Sequence, residues 1–330
     1  MRRGLSQLQS FDCTCFSMIT LLTNALIFLQ ILIVVGLYFL LHNFFRVTSE
    51  LLAWFLSFSA LILTRLLLIA NGFLIASRYQ SALPSEQRLA WHPTVGLLFQ
   101  EFWANMLVTS WYMPFRAFSG TIASQAHGLP VLLIHGYGCN SGYWRSMRRH
   151  LIQARISFKA IDLEPLLAGI DSYAVSIDNA LENLCKESGK EQIIILAHSM
   201  GGLAERAYLR RYNNRRIAKI ITIGTPHYGT VLANFGVGLN SAEMRWNDNA
   251  THGQPSAWLR SLAESEDAAK RALITSIYSL HDNIIAPQQS AHLAGAKNIA
   301  LSTIGHLALG LHPTVQALVL EEIRLASERH

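Results

Sequence analysis

The chain has 330 residues, of which 51% are hydrophobic and only 15% are charged, and its mean hydropathy is +0.26. A soluble domain carries about 25% charged residues, and a disordered chain combines low hydrophobicity with high charge, so this composition excludes disorder and argues against a wholly soluble protein. The formal net charge of +6 is small and is not gathered into Lys/Arg runs, which argues against a nucleic-acid partner.

A long apolar segment lies near the start of the chain. Residues 13–41 include no charged residue, and Met18–Leu41 is long enough to cross a bilayer as a helix, which takes about 20 apolar residues. The segment exceeds the apolar part of a signal peptide, about 7–15 residues, and no small-residue cleavage site comes after it. We predict a transmembrane helix over about residues 18–41; the alternative is a buried core helix.

A second apolar run covers Leu51–Ala76 and contains one charge, Arg65. An arginine at the centre of a membrane helix costs about 2.5–3.5 kcal/mol, and each Leu, Ile or Phe offsets about 0.3–0.6 kcal/mol of that cost. Arg65 can also extend toward the membrane surface, or the span can lie off-centre. We predict a second transmembrane helix over about residues 51–76; the alternative is a helix lying on the membrane surface.

Arginines flank this pair of runs. Two precede the first run and two come after the second, whereas the connection carries only Arg46. Positive charge accumulates on the cytoplasmic side of membrane proteins. The pattern predicts a hairpin that anchors residues 1–80 with both ends, and the rest of the chain, in the cytoplasm.

Residues 81–128 join the hairpin to the remainder of the chain and are rich in aromatic side chains, among them Trp91, Trp103 and Trp111. Tryptophan favours the interface between membrane and water. We predict a linker or interfacial region, with packing on the C-terminal domain as the alternative.

From residue 129 onward, short apolar runs alternate with helical stretches. This alternation predicts an α/β domain over 129–330, with a parallel sheet and helices on both of its faces. The predicted strands are Val131–His135, Phe158–Asp162, Gln192–His198, Ala218–Ile223, Leu273–Leu280 and Asn298–Thr303. The predicted helices are Tyr143–Ala154, Ser172–Ser188, Met200–Tyr212, Pro255–Ala263 and His312–Ser327.

Ser199 lies at a predicted strand-to-helix turn. It is flanked two positions away by the small residues Ala197 and Gly201, as in the sharp turn that exposes a nucleophilic serine at the edge of a sheet. Bulky flanking residues would clash in such a turn. The alternative is a serine that only caps the next helix. We predict that Ser199 is a nucleophile.

A serine hydroxyl needs a base, and in this architecture an acid and then a histidine come after the serine along the chain. Asp282 and His306 come directly after the last two predicted strands, at the same sheet edge as Ser199. We predict that His306 is the base and that Asp282 orients it. The rival histidines are His281 and His312, and the fallback acids are Asp162 and Glu164.

Two backbone amides are expected to bind the oxyanion that forms when the serine attacks a carbonyl. One is the amide of Met200, directly after the nucleophile. The other is predicted to be the amide of Tyr137, in the glycine-containing loop after the first parallel strand. We expect His135 to orient this loop through hydrogen bonds rather than to act as a base.

Together these segments resemble the α/β-hydrolase superfamily and, more narrowly, bacterial lipases and esterases. The resemblance covers about Pro130–Pro313 and rests on HGYGCNSGYW, AHSMGG, GTPHYGT, HDNIIAP and IGH, which begin at His135, Ala197, Gly224, His281 and Ile304. In bacterial triacylglycerol lipases a segment similar to GTPHYGT leads into a mobile lid. The resemblance therefore implies a lid over about residues 224–253.

The resemblance implies a serine ester hydrolase, a lipase or esterase, that acts on lipids or other acyl esters. Secreted lipases carry a calcium site and no membrane hairpin; no matching acidic pair lies near His306, so we expect no metal and no cofactor. With the hairpin, a multi-pass protein of a bacterial inner membrane is expected. The alternatives are an acyltransferase with the same residues and a catalytically silent membrane scaffold. A haloperoxidase or a haloalkane dehalogenase is also possible in this fold, although the dehalogenase would need an aspartate where Ser199 stands.

Overall fold

The computed structural model of the chain describes residues 8–11, 17–81, 91–247 and 253–330. Some sequence predictions fall on the other residues. Arg2, Arg3 and Arg88, on which the predicted orientation of the hairpin partly depends, lie outside the described residues, and so does the stretch 248–252 of the predicted lid.

Two long helices form the N-terminal part of the described chain. Helix α1 covers Met18–Phe39 and continues as a π-helical turn over Leu40–Phe44, and helix α2 covers Glu50–Arg78. Their N-termini are capped by Ser17 and Ser49, whose hydroxyls accept backbone N–H groups that the helix leaves free. By length and composition both are candidate membrane spans. Their large apolar side chains are mostly exposed, which is not the pattern of a buried core helix.

The two long helices pack against each other and against the rest of the protein. Tyr38 and Trp54 stack with ring centroids 4.3 Å apart. At the opposite end of the hairpin, Asn140 donates a hydrogen bond to Thr20 Oγ1 at 2.9 Å, and Gly72 packs on the backbone of Asn283. The hairpin therefore contacts loops at the carboxyl edge of the sheet.

The segment after the hairpin is helical. Helix α3 covers Trp91–Leu107, continues as a π-helical turn over Val108–Tyr112, and is followed by the single turn α4, Met113–Phe115. Helix α3 packs against α2 on one side and against the turn Ala308–Gly310 on another. The predicted linker therefore includes a helix that lies between the hairpin and the α/β domain.

An eight-stranded sheet forms the centre of the α/β domain. The strands of the protein are β1 Leu8–Phe11, β2 Gly120–Ala123, β3 Val131–Ile134, β4 Phe158–Ile161, β5 Ile193–His198, β6 Ile217–Ile223, β7 Trp246–Asn247, β8 Gln254–Pro255, β9 Ile274–Ser279 and β10 Lys297–Leu301. The spatial order in the central sheet is β1-β2-β4-β3-β5-β6-β9-β10, and β7 pairs with β8 in a separate small sheet.

Helices cover both faces of this sheet. They are α5 Arg145–Gln153, α6 Tyr173–Ser188, α7 Met200–Tyr212, α8 Leu239–Glu243, α9 Ala257–Glu264, α10 Ala268–Ala272 and α11 Pro313–Ser327. One apolar core lies between the sheet and helices α5 and α11, and a second lies between the sheet and helices α6 and α7. Strands β3 and β5 are buried throughout, as expected for strands covered on both faces.

The predicted α/β pattern is confirmed, and the bounds of the six predicted strands agree with the structure to within two residues. One feature differs from the prediction of a parallel sheet. Strands β1 and β2 add an antiparallel edge, β2 pairing with β4 and β1 with β2. Each has only four residues, and such short edge strands carry too little pattern to be recognised before their partner strand is known.

Candidate active site

Ser199 occupies the sharp turn between β5 and α7. Its φ of 53° and ψ of −126° lie in a region that residues other than glycine rarely adopt. Strain of this kind persists only where the surroundings enforce it, and it is concentrated at functional sites. The turn also needs a small neighbour, because a Cβ on Gly201 would lie 2.6 Å from the carbonyl oxygen of His135.

Three side chains from three different strand ends form one hydrogen-bonded chain. His306 Nε2 lies 3.0 Å from Ser199 Oγ, and His306 Nδ1 lies 2.8 Å from Asp282 Oδ2. The three residues come after β5, β9 and β10, whose carboxyl ends lie at one edge of the sheet. This geometry suits a serine that is deprotonated by a histidine while a carboxylate orients the imidazole.

Asp282 is held as an acceptor by its own loop. Its Oδ1 accepts hydrogen bonds from the amides of Ile284 at 2.7 Å and Ile285 at 2.8 Å, which leaves Oδ2 for His306. Asn283 Oδ1 accepts a hydrogen bond from the His306 amide at 3.0 Å and ties this loop to the next one. Ser199, Asp282 and His306 are only 8%, 2% and 4% exposed.

Burial of His306 lowers its pKa, but the charge of Asp282 and their hydrogen bond raise it, and the charge of Glu101 adds to this. The net effect is a pKa above the ordinary value of a histidine. An imidazole with such a pKa is a better proton acceptor. The neighbouring ring of His198 is different, since burial and the charge of His306 hold its pKa well below the usual range.

The rival residues have other partners. Asp162 Oδ1 accepts a hydrogen bond from the Ser141 amide at 2.7 Å, and Glu164 Oε1 accepts one from the Met18 amide at 2.6 Å. His281 Nδ1 accepts the amide of Thr303 at 3.2 Å, and His312 caps α11. Among the residues that the structure describes, Asp282 is the only acid whose carboxylate lies within hydrogen-bond distance of the His306 imidazole.

The loop after β3 lies directly beside the serine. A Cβ on Gly136 would lie 2.8 Å from Ser199 Cβ, so glycine is needed for this approach. His135 Nδ1 lies 2.9 Å from the Gly136 carbonyl oxygen, and its Nε2 accepts the amide of Leu163 at 3.0 Å. Because the imidazole is engaged on both nitrogens and burial lowers its pKa, it acts as a neutral brace of this loop.

Both predicted oxyanion donors belong to segments that adjoin Ser199. Met200 is the first residue of α7, where backbone N–H groups have no partner within the helix. Tyr137 comes after Gly136 in the adjacent loop, and its hydroxyl donates a hydrogen bond to the Val237 carbonyl oxygen at 2.8 Å. The Tyr137 side chain thus ties the loop to the predicted lid.

The predicted lid rests on the site and exposes apolar side chains. Hydrogen bonds join the start of the predicted lid to the loop that comes after Asp282. The Thr230 hydroxyl and the Val231 amide make them with the backbone of Ile284 and Ala286. Farther along, Phe235, Val237 and Leu239 are exposed, whereas Met244 is buried. An exposed apolar surface beside a nearly buried serine fits the predicted lid, which stays a prediction.

Glu101 on α3 is a buried acid that was not among the predicted site residues. Its side chain is only 2% exposed, and its carboxylate accepts hydrogen bonds from the amides of Leu307 at 2.9 Å and Ala308 at 3.0 Å. These amides directly follow His306. Glu101 therefore holds the loop that carries the imidazole.

A signal for Glu101 was present in the sequence. It is the only acid between Leu89 and Phe118, and a charge within an apolar helix needs partners when the helix is buried. The identity of those partners could not be read, because about 200 residues separate α3 from Leu307. Burial raises the pKa of Glu101, and its two backbone hydrogen bonds oppose that shift.

In the described part of the chain, the buried thiol of Cys139 is a further candidate nucleophile. Burial raises the pKa of Cys139 to about 12, so this thiol, which lies in the loop after β3, is neutral at ordinary pH. Within the described ranges, no group of three or more His, Cys, Asp or Glu side chains is arranged to hold a metal ion.

Residues 130–250 match the sequence model of a family described as the alpha/beta hydrolase fold. Similar solved structures include the mature lipase BlEst2 of Bacillus licheniformis, which is 15% identical over 62% of this chain and 97% of that chain, with a TM-score of 0.54. Lipase B of Aspergillus fumigatus is 17% identical over 61% of this chain and 55% of that chain, with a TM-score of 0.50.

The C-terminal domain therefore has an α/β-hydrolase fold. The predicted fold class and the resemblance to α/β-hydrolases are confirmed. At these identities the similarity extends to the fold, and the chemistry must be argued from the residues of this chain.

Proposed function

We propose that this protein is a membrane-anchored serine ester hydrolase that acts on acyl esters, among them lipids. The observation that carries the proposal is the hydrogen-bonded chain from Ser199 through His306 to Asp282. In the first step, His306 Nε2 removes the Ser199 proton while Oγ attacks the ester carbonyl. Asp282 fixes the tautomer of the imidazole and stabilises the imidazolium.

The tetrahedral intermediate carries a negative oxygen, which the amides of Met200 and Tyr137 are proposed to bind. The C–O bond to the alcohol then breaks, and His306 donates its proton to the departing alcohol. Water, deprotonated by His306, then attacks the acyl carbon, the bond between Ser199 Oγ and the acyl group breaks, and His306 returns the proton to Oγ as the acid is released. Nε2 of His306 is the atom that takes up and gives back the proton in each of these steps.

The test is hydrolysis of a series of p-nitrophenyl esters of increasing chain length by the full-length protein, with the Ser199→Ala variant as control. We expect release of p-nitrophenol and of the free acid. An acyltransferase would instead pass the acyl group to an added alcohol in preference to water, which product analysis detects. A silent scaffold would release nothing, and that result would refute the proposal.

Membrane anchoring is proposed for residues 1–80. The supporting observation is the apolar exposure of α1 and α2, which together present far more apolar side chains to the outside than a soluble protein tolerates. Stacked Tyr38 and Trp54 near the hairpin tip suit an interface between membrane and water. We propose a bacterial inner membrane, with the catalytic domain on the cytoplasmic side.

We expect the full-length protein to stay in the membrane fraction after washing with carbonate, because a helix that spans the bilayer is released only by detergent. A protein bound at the surface would be released by the wash, and this outcome would contradict the anchor. Protease protection of the catalytic domain measures the side of the membrane on which it lies.

We expect Glu101→Gln to lower kcat about 10–100-fold, since a small displacement of a reacting group is enough for a loss of that size. The amides of Leu307 and Ala308 donate to different oxygens of Glu101, and the NH₂ group that replaces one of these oxygens in glutamine cannot accept a hydrogen bond. The Glu101 charge also raises the pKa of His306. Below its pKa the base is protonated and inactive, so the acid limb of kcat/KM should move to lower pH in the variant.

The matched control is Glu321→Gln, which neutralises an exposed acid on α11 that pairs with Arg324. It should leave both kcat and the acid limb as in the wild type. A loss of kcat in Glu101→Gln with no movement of the acid limb would show that Glu101 supports only the structure of the loop.

A further inference from the structure

An elongated cavity of about 270 Å³ lies between helix α1 and the loop that carries Tyr137. Its wall on the α1 side is a single helical stripe, made of Ile19, Leu22, Thr23, Leu26, Ile27 and Gln30. These residues have the 3–4 residue spacing of one helix face. The stripe runs for about 16 Å along the helix at 1.5 Å per residue.

A second wall of the cavity comes from the catalytic domain, and Arg65, Thr109 and Met113 complete the lining. Tyr137 and Gly138 line it from the loop that adjoins Ser199, and Leu166, Leu167 and Val237 line it from the loop after β4 and from the predicted lid. The wall is mainly apolar. The volume of about 270 Å³ is just below the range of about 300–1,000 Å³ that is usual for small-molecule sites, so the cavity suits one acyl chain rather than a whole lipid.

Arg65 is the only charged side chain that lines the cavity within the described residues. Its guanidinium donates hydrogen bonds to Thr109 Oγ1 at 2.8 Å and Ser110 Oγ at 2.7 Å, and it contacts Met106 Sδ at 2.8 Å. All three partners are neutral, and no described carboxylate lies within ion-pair distance of Arg65. A charge in an apolar setting is costly without a counter-charge.

The position of Arg65 along α2 places its side chain within reach of the lipid headgroups of a bilayer. Helix α2 has 29 residues and is about 43 Å long, whereas the hydrocarbon core is about 30 Å thick. If the end at Glu50 lies at the far surface, Arg65 lies about 22 Å along the helix. It is then within about 8 Å of the near surface, which a long arginine side chain can span.

We propose that this cavity binds the acyl chain of an anionic membrane lipid and that Arg65 pairs with the acidic group of that lipid. The cavity extends from α1 to the loop that adjoins Ser199, so a chain bound in it would place its ester near that loop. The inference rests on the proposed ester hydrolysis and membrane anchoring, and it narrows the substrate to an anionic long-chain acyl lipid.

The test compares three substrates with the full-length protein: soluble p-nitrophenyl butyrate, and vesicles of phosphatidylglycerol or of phosphatidylcholine with the same acyl chains. Release of fatty acid is measured for the vesicles. Wild-type protein should hydrolyse phosphatidylglycerol faster than phosphatidylcholine. Hydrolysis of butyrate without a preference for the anionic vesicles would overturn the inference and leave the proposed hydrolase standing.

Two variants locate the site. Ile27→Trp fills the cavity and should lower the ratio of vesicle to butyrate turnover about tenfold, a usual size for a misfit in an apolar pocket. Leu29→Trp is the matched control, since Leu29 is exposed on another face of the same helix and does not line the cavity. Equal ratios in the two variants would overturn the assignment of the cavity.

Arg65→Gln should lower the ratio of phosphatidylglycerol to phosphatidylcholine turnover about tenfold, the loss expected for one charge-assisted hydrogen bond. Arg65→Lys keeps the charge and should keep most of the preference. If Arg65 only joins α2 to α3, its loss would lower all three turnover rates together and leave the ratio as in the wild type. That result would overturn the role of Arg65.

Discussion

Ser199→Ala is expected to lower kcat for ester hydrolysis about 10⁶-fold, the loss typical of removing the nucleophile from such a triad. Only oxyanion binding and substrate positioning would remain. The fold should be retained, because the hydrogen bond that alanine removes joins Ser199 only to the side chain of His306 within the site. Alanine also has the same backbone requirements as serine at this turn. The melting temperature should therefore change little.

A fluorophosphonate probe gives a second readout of Ser199. It should label the wild type at this serine and leave Ser199→Ala unlabelled. Ser172→Ala, which removes an exposed hydroxyl at the start of α6, is the control and should be labelled like the wild type. Labelling that persists in Ser199→Ala would mean that another residue is the nucleophile.

Asp282→Asn is expected to lower kcat about 10⁴-fold, as the corresponding change does in the best-studied Ser-His-Asp enzyme. The physical reason is specific to the loop. Oδ1 must accept the amides of Ile284 and Ile285, so an asparagine keeps its oxygen there and turns its NH₂ group toward His306 Nδ1. The imidazole then carries its proton on Nε2 and cannot accept the proton of Ser199.

Because both backbone hydrogen bonds of the loop survive in Asp282→Asn, the melting temperature should stay close to that of the wild type. The charge of Asp282 raises the pKa of His306, so the acid limb of any residual activity should move to lower pH. Asp162→Asn and Glu164→Gln are matched controls. They should lose far less activity, because their carboxylates bond to Ser141 and Met18.

A variant Asp282→Asn that retained more than about a tenth of the wild-type turnover would contradict the role given to this acid. A loss of less than about tenfold in turnover would fit a residue that only supports the structure of the loop. The combination of a large kcat loss, a normal melting temperature and a shifted acid limb is expected only of an acid that acts on His306.

Much of the α/β domain could be predicted from the sequence alone, because its signals are local. Buried parallel strands are short apolar runs, and Ile193–His198 followed by Met200–Tyr212 specifies a strand, a sharp turn and a helix without knowledge of any partner. Since parallel strands end at one sheet edge, Ser199, Asp282 and His306 could be selected together as a candidate site.

The two apolar helices could also be predicted from the sequence, since length and composition suffice to identify a candidate membrane span. The sequence by itself could not reveal the contacts that this part of the chain makes. Short edge strands such as β2 have no periodicity of their own, and their pairing depends on strands elsewhere in the chain.

Only the tertiary structure decided which acid meets His306 and what braces its loop. Asp162, Glu164 and Asp282 all come after strands, and the choice among them depends on the side-chain directions of loops that the sequence does not encode locally. Glu101 contacts a loop about 200 residues away, and Arg65 meets Thr109 across a helix pair. Such contacts arise from packing, where a buried polar group takes whichever partner the fold brings near.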